Sequence, residues 1–185
     1  VDSADAKVEI CHNIEYLGSC GLKDVGHEKL RVAYVSADAT KPAIERLSQQ
    51  TKNEDVDFLL TYSWGAALQP FFSSIDSSVE KGAGDFSNLV DIAVSSGVTA
   101  RYHFAGANGL YFKLPPYKSV TRPYVTRFVG LGQVQATKDK AKKWLHALTI
   151  RPASALSIED LSKTFEGTIS NPYVHVNSDR KRPHE

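Results

Sequence analysis

The sequence predicts an α/β domain, built as a sandwich of mixed β-sheets flanked by helices. Two observations carry the α/β reading: a helical pattern runs into a short apolar strand across residues 41–64, and again across 87–106. A third extends the sheet system. The segments "GLYFKLPPYK", "VTRFVGLGQV" and "KWLHALTIRP" follow one another with no helix of any length between them, as antiparallel strands would.

From the start of the chain, "NIEYLG" and "LRVAYVSA" alternate or run apolar in the manner of strands, with the turn-rich "KDVGHEK" between them. Residues 41–53, "KPAIERLSQQTKN", predict a helix, because Pro42 suits a first helical position and Ile44 with Leu47 starts an apolar stripe. "VDFLLTYSW" predicts a buried strand ending at Trp64. Residues 65–85, rich in Ser, Gly and Ala, predict a surface excursion. "SNLVDIAVSSG" places Leu89, Ile92 and Ala93 at helical spacing, with Gly97 just past the helix end. "ARYHFAG" predicts a second buried strand. "SIEDLSK" predicts a short last helix, capped by Ser157 with Asp160 at its third position. The closing "NPYVHVNSDRKRPHE" is polar and basic and predicts a tail or linker; the expected division is a domain over residues 1–173 and a tail over 174–185. The opening strands have no helices of their own, and the sequence starts at Val1 and contains no Met, so earlier elements of the domain are expected outside it.

The 185 residues are 42% hydrophobic and 23% charged, enough for a buried core. No apolar run approaches the ~20 residues that span a bilayer, and no membrane partner is expected. Cys11 and Cys20 lack the paired spacing of a zinc site, which favours a reducing, intracellular setting. The net charge of +1 hides an asymmetry: residues 1–100 carry 8 Lys/Arg against 15 Asp/Glu, and residues 101–185 carry 14 against 6. Either the basic half attracts phosphate or the two halves neutralise each other by packing.

Chemistry has two places to reside. Divalent ions at phosphoester sites need His, Asp, Asn or Glu at converging strand ends. Thr61-Tyr62-Ser63-Trp64 offers hydroxyls and an indole; Phe104-Ala105-Gly106-Ala107-Asn108-Gly109 offers the amide of Asn108. His103 lies inside its strand and reads as an interior, hydrogen-bonded histidine before it reads as a ligand. No nucleophile elbow, dinucleotide fingerprint or P-loop is present. Binding has the fuller pattern. Between Arg101 and Arg127, basic and aromatic side chains interleave, with Lys113 and Lys118 among them. Such groups neutralise phosphate and stack on bases, unless alternate aromatics are simply core.

The motifs "DFLLTYSW", "ARYHFAG", "YFKLPPY", "TRFVGLGQV", "KWLHALTIRP" and "NPY", in this order, resemble the CwfJ family of splicing-associated proteins over most of residues 8–173. The resemblance implies the second half of an N-terminal domain similar to the lariat-debranching metallophosphoesterase. In that enzyme the strand matching "LLTYSW" carries a metal-binding His and Asp before its Trp, and the later strand carries His-x-His. Those positions here are Tyr62, Ser63 and Trp64, then Ala107 and Gly109. The ligand positions contributed by this half are therefore emptied, and no cofactor or catalytic residue is expected.

The resemblance implies a non-catalytic nuclear domain acting in splicing, intron-lariat handling or spliceosome disassembly. Its implied partners are spliceosomal proteins, the debranching enzyme and intron-lariat RNA or snRNA. The residues expected to contact RNA or a partner are Trp64, Arg101, His103, Asn108, Lys113, Lys118 and Arg127. Two other readings stay open: a divergent metal-dependent RNA phosphodiesterase using ligands from the first half of the domain plus Asn108 or His103, and a purely structural scaffold. The basic run Arg180-Lys181-Arg182 is compatible with nuclear import.

Overall fold

In the computed structural model, which describes residues 8–73, 85–134 and 143–174, alternating and apolar runs pair into one large sheet. Strands β1 (Val8–Cys11) and β2 (Ile14–Tyr16) form a separate antiparallel hairpin. The main sheet begins with β3 (Cys20–Val25) antiparallel to β4 (Leu30–Val35). Helix α1 (Lys41–Thr51) leads to β5 (Phe58–Thr61), followed by the two-residue β6 (Trp64–Gly65). A 3₁₀ turn at Ala66–Leu68 and α2 (Gln69–Ser73) come next. Strand β7 (Phe86–Ser87) pairs with β6 and opens α3 (Asn88–Ser95), which feeds β8 (Tyr102–Ala105). Then come β9 (Phe112–Lys113), β10 (Tyr117–Lys118), β11 (Val125–Gly130) and the short α4 (Ile158–Leu161).

The main sheet runs β10-β11-β8-β5-β4-β3, with β9 also paired to β11. Strands β4, β5, β8 and β11 are parallel. The outer strands β3, β9 and β10 run antiparallel to their neighbours. This is the mixed, helix-flanked sheet expected of an α/β sandwich.

Both long helices have local reasons to start and stop. Thr40 Oγ1 accepts the Ala43 N–H ahead of α1, and Ser87 Oγ accepts the Leu89 N–H ahead of α3. Gly97, at φ 103°, takes the left-handed conformation that ends α3. Ile44 and Leu47 of α1 and Val90, Ala93 and Val94 of α3 are buried with Ala33, Val35, Leu59, Ala105 and Phe128 of the sheet. Each such aliphatic side chain contributes about 1.5–3 kcal/mol by leaving water.

Strand alternation then places Phe58, Leu60, Tyr102, Phe104 and Arg127 on the opposite face. Three of these rings cluster there, with Phe58 5.9 Å from both Tyr102 and Phe104. Leu60 is 43% exposed.

Several expectations need correcting. Val125–Gly130 is a parallel neighbour of β8, with Arg127 opposite Tyr102 and Gly130 opposite Ala105, and so belongs to the parallel centre. Period-two alternation reports a strand but not its direction. The "YFKLPPY" segment is one antiparallel edge broken in two. Lys113 faces Val129 while Tyr117 faces Thr126, a register offset of one residue across Leu114-Pro115-Pro116. Two prolines have no N–H to give the ladder, so the break falls there.

"KWLHALTIRP" forms no strand, because β9 and β10 already occupy the free side of β11; residues 143–150 pass over the sheet without regular structure. Lys23-Asp24-Val25, expected in a turn, completes β3. Residues 65–73 are a packed turn and helix with Leu68 fully buried, where a surface excursion was expected; the rest of that stretch to residue 84 lies outside the described residues. Asn171 and Tyr173 are buried in the fold and are not part of a tail, and residues 175–185, including the basic run, lie outside the described residues.

Candidate functional site

The register aligns the carboxyl ends of the parallel strands. Val35 faces Thr61, Thr61 faces Ala105, and Ala105 faces Gly130. Residues just beyond these ends therefore share one rim of the sheet, which is where open α/β sheets place ligands. Tyr62, Ser63, Trp64, Ala107, Asn108 and Gly109 all lie on or next to this rim.

The rim is tied together by the backbone. The Gly106 N–H donates to Thr61 O at 3.3 Å, and the Tyr62 N–H donates to Val35 O at 3.2 Å. The Asn108 carboxamide oxygen accepts the Asp85 N–H. Asp85 O in turn accepts the Trp64 N–H at 3.0 Å. Ala107 (φ 59°) and Gly109 (φ 66°) both adopt the left-handed conformation and turn the chain sharply after β8.

Trp64 fills the space under this rim. Its indole is 0% exposed and stacks on Phe112 at 5.5 Å, with Phe72, Phe86 and Phe128 edge-on around it. Its Nε1–H donates to Gly106 O at 2.8 Å. A Cβ at Gly130 would stand 2.2 Å from the indole Cζ2, so only glycine admits the ring there. The side chain that "TYSW" offers to a ligand is in fact core.

His103 is likewise interior, fully buried beneath the rim. Its Nε2 lies 3.0 Å from Thr61 Oγ1, and that hydroxyl already donates to Ser63 O at 2.8 Å. Nε2 must therefore carry the proton, and Nδ1, without a partner among the described residues, keeps a bare lone pair. Burial pulls the imidazole pKa from 6.5 down to about 3.

This has a measurable consequence. The folded pKa lies below the unfolded one, so between about 6.5 and 3 the unfolded chain binds the extra proton. Stability present above pH 6.5 is then lost as pH falls, at about 1.4 kcal/mol per unit. Chemical denaturation of the wild type at pH 5 is expected to show about 2 kcal/mol less stability from this group than at pH 7. His103→Gln should lack that increment; an unchanged pH slope in the variant would refute the assignment.

The residues at the emptied positions do not fit a metal ion. Tyr62 is 53% exposed and offers only a phenol, Ser63 is buried, and Ala107 and Gly109 have no side-chain donor atoms. Among the described residues no three His, Cys, Asp or Glu side chains cluster as metal ligands would.

The basic candidates separate by position. Register puts Lys113 (opposite Val129), Arg127 and Lys118 (opposite Val125) on the face away from α1 and α3. Lys113 and Lys118 are exposed. Arg101 instead turns inward, its Nη1 donating to Asp57 Oδ1 at 3.0 Å and to Arg151 O at 2.6 Å. The structure thus brings together three of the seven expected contact residues. It adds Lys163 and Phe165, which lie beside Arg127 but sit far along the chain with no motif to mark them. Among the described residues no helix is long and apolar enough to cross a membrane.

No protein-family model matches the chain. Among curated proteins it is 30% identical to CWF19-like protein 1 of Xenopus laevis, over 92% of this chain and 34% of that protein. It is 28% identical to CWF19-like protein 1 of Homo sapiens, over 89% of this chain and 33% of that protein. The chain belongs to the CwfJ family. Zinc finger CCCH domain-containing protein 64 of Arabidopsis thaliana is also 30% identical, over 90% of this chain and 29% of that protein. The CwfJ-family segment spans about a third of the length of these curated relatives.

Proposed function

We propose that this chain is a non-catalytic, metallophosphoesterase-like segment of a nuclear, spliceosome-associated protein. It docks to splicing proteins, including the lariat-debranching enzyme, during intron-lariat handling or spliceosome disassembly, and contacts RNA through its basic half. The observation that carries the non-catalytic reading is the rim: Tyr62, Ser63, Ala107 and Gly109 supply no carboxylate or imidazole where the parallel strands end. CwfJ-family membership supports the splicing role.

The face away from α1 and α3 supports the domain reading. Phe58, Leu60, Tyr102 and Phe104 put apolar side chains on this face, Leu60 43% exposed, and the relatives are about three times the length of this chain. We assign that cover to the first half of the same domain.

The test uses the full-length protein. Immobilised, it is expected to retain purified debranching enzyme. Titrated with Mn²⁺, it is expected to show no stoichiometric binding and no hydrolysis of a 2′–5′ branched RNA. Stoichiometric Mn²⁺ binding with turnover of the branched RNA would establish the phosphodiesterase reading instead, and failure to retain any splicing protein would leave only a scaffold.

A further inference from the structure

Arg127 is held in an unusual way. Its guanidinium carbon lies 5.2 Å from the Tyr102 ring centroid and 4.2 Å from that of Phe165, so the cation packs against two rings. Among the described residues, nothing accepts a hydrogen bond from its side chain and no carboxylate pairs with it. Arg101 and Arg31 are both committed to carboxylates. A guanidinium packed against rings keeps its N–H groups available at its edge.

Those N–H groups border a cleft of about 130 Å³ where β8 and β11 begin, at the opposite strand ends from the rim. Arg101, Arg127 and Lys163 line it against the single carboxylate of Asp160, and Phe165 forms part of its wall. Asp160 is occupied by Lys163 at 2.6 Å and by the Ser157 hydroxyl at 3.0 Å, and the neighbouring lysine holds it below the usual carboxylate range. The cleft has room for one tetrahedral anion.

We propose that this cleft seats one backbone phosphate of a single-stranded RNA, its oxygens accepting N–H bonds from Arg127 and Lys163. The surroundings favour RNA over an acidic peptide. Lys113 and Lys118 lie on the same sheet face as Arg127, and Phe165, 45% exposed, offers a ring on which a base adjoining the phosphate stacks. A peptide carboxylate needs neither the ring nor the further cations. The inference rests on the RNA-contact part of the proposed function and names where that contact occurs.

Fluorescence anisotropy of a labelled oligouridine across a NaCl series tests it on the full-length protein. Arg127→Ala is expected to weaken binding about tenfold and to lower the salt slope by about one. Arg127→Lys, which keeps the charge and loses the fork, should fall between the two. Lys163 is exposed and outside the core, so Lys163→Ala should lower affinity with the melting temperature unchanged, which guards against misreading a folding defect. Wild-type affinity in both alanine variants overturns the proposal, as does polyglutamate competing as well as RNA. So does a phosphate-induced shift of the Arg127 side-chain NMR signal without any RNA binding. Retention of the debranching enzyme is scored separately: its loss with RNA binding intact sinks the docking reading and leaves the cleft standing.

Discussion

Trp64→Ala is expected to lower unfolding stability by about 3–5 kcal/mol, with the slope of the urea transition unchanged. The indole is fully buried among Phe72, Phe86, Phe112 and Phe128, and these rings belong to separate elements that cannot all collapse into the space it leaves. The Gly106 carbonyl also loses its Nε1–H donor. Gly130→Ala attacks the same contact from the other side, since the new Cβ would stand 2.2 Å from Cζ2 and must displace the ring. It should therefore destabilise despite adding only a methyl group. Trp64→Phe separates packing from recognition: it is expected to keep most of the core and all of the partner and RNA binding. If Trp64→Ala costs less than about 1 kcal/mol, the ring is not the plug described.

Pro42, the apolar stripes and Gly97 made α1 and α3 legible, since each acts within a few residues of where it stands in sequence, while the Thr40 and Ser87 caps were found only in the structure. The strand existence of β4, β5, β8 and β11 was legible for the same reason. Strand direction was not. Whether Val125–Gly130 runs parallel to β8 depends on a partner 25 residues away, as Arg127 is from Tyr102, and alternation is identical in both directions. The "LPPY" break could be read as two prolines but not as a single edge strand shifted by one residue. Burial of Asn171 and Tyr173 was hidden by their polar surroundings; only the fold brings Tyr173 against Tyr117, at 5.9 Å.

The candidate site divides along the same line. The vacancy of ligand-type side chains at Tyr62, Ser63, Ala107 and Gly109 can be read from residue identity alone. Exposure cannot, because an alternating strand does not say which face meets helices. Trp64 and His103 fall on the covered face and Lys113, Lys118 and Arg127 on the other. Lys163 and Phe165 join Arg127 only through the return of the chain across the sheet.

Asp57→Ala is the second large effect, expected at about 3–5 kcal/mol, and it decides how Arg101 is to be understood. Asp57 is 2% exposed at the start of β5. Its carboxylate accepts the Arg31 N–H at 3.0 Å, the Ala153 N–H at 2.8 Å and Arg101 Nη1 at 3.0 Å, joining the starts of three parallel-sheet elements to the crossing segment. Alanine leaves the buried Ala153 N–H and the part-buried Arg31 N–H unpaired and strands a guanidinium whose side chain is only 13% exposed. Asp57→Asn keeps the shape but not the charge, and should cost less. The double variant Asp57→Ala/Arg101→Met should be less unstable than the sum of its singles, because each single leaves the other group uncompensated. In the sequence Arg101 reads as an RNA contact; bound to Asp57 and to Arg151 O, it has little left to offer a ligand. Arg101→Ala is therefore expected to lower the melting temperature, with any loss of RNA affinity recovered where the variant is fully folded. Weakened RNA binding at an unchanged melting temperature would instead put Arg101 in the anion cleft as a direct contact, with Asp57 serving to aim it.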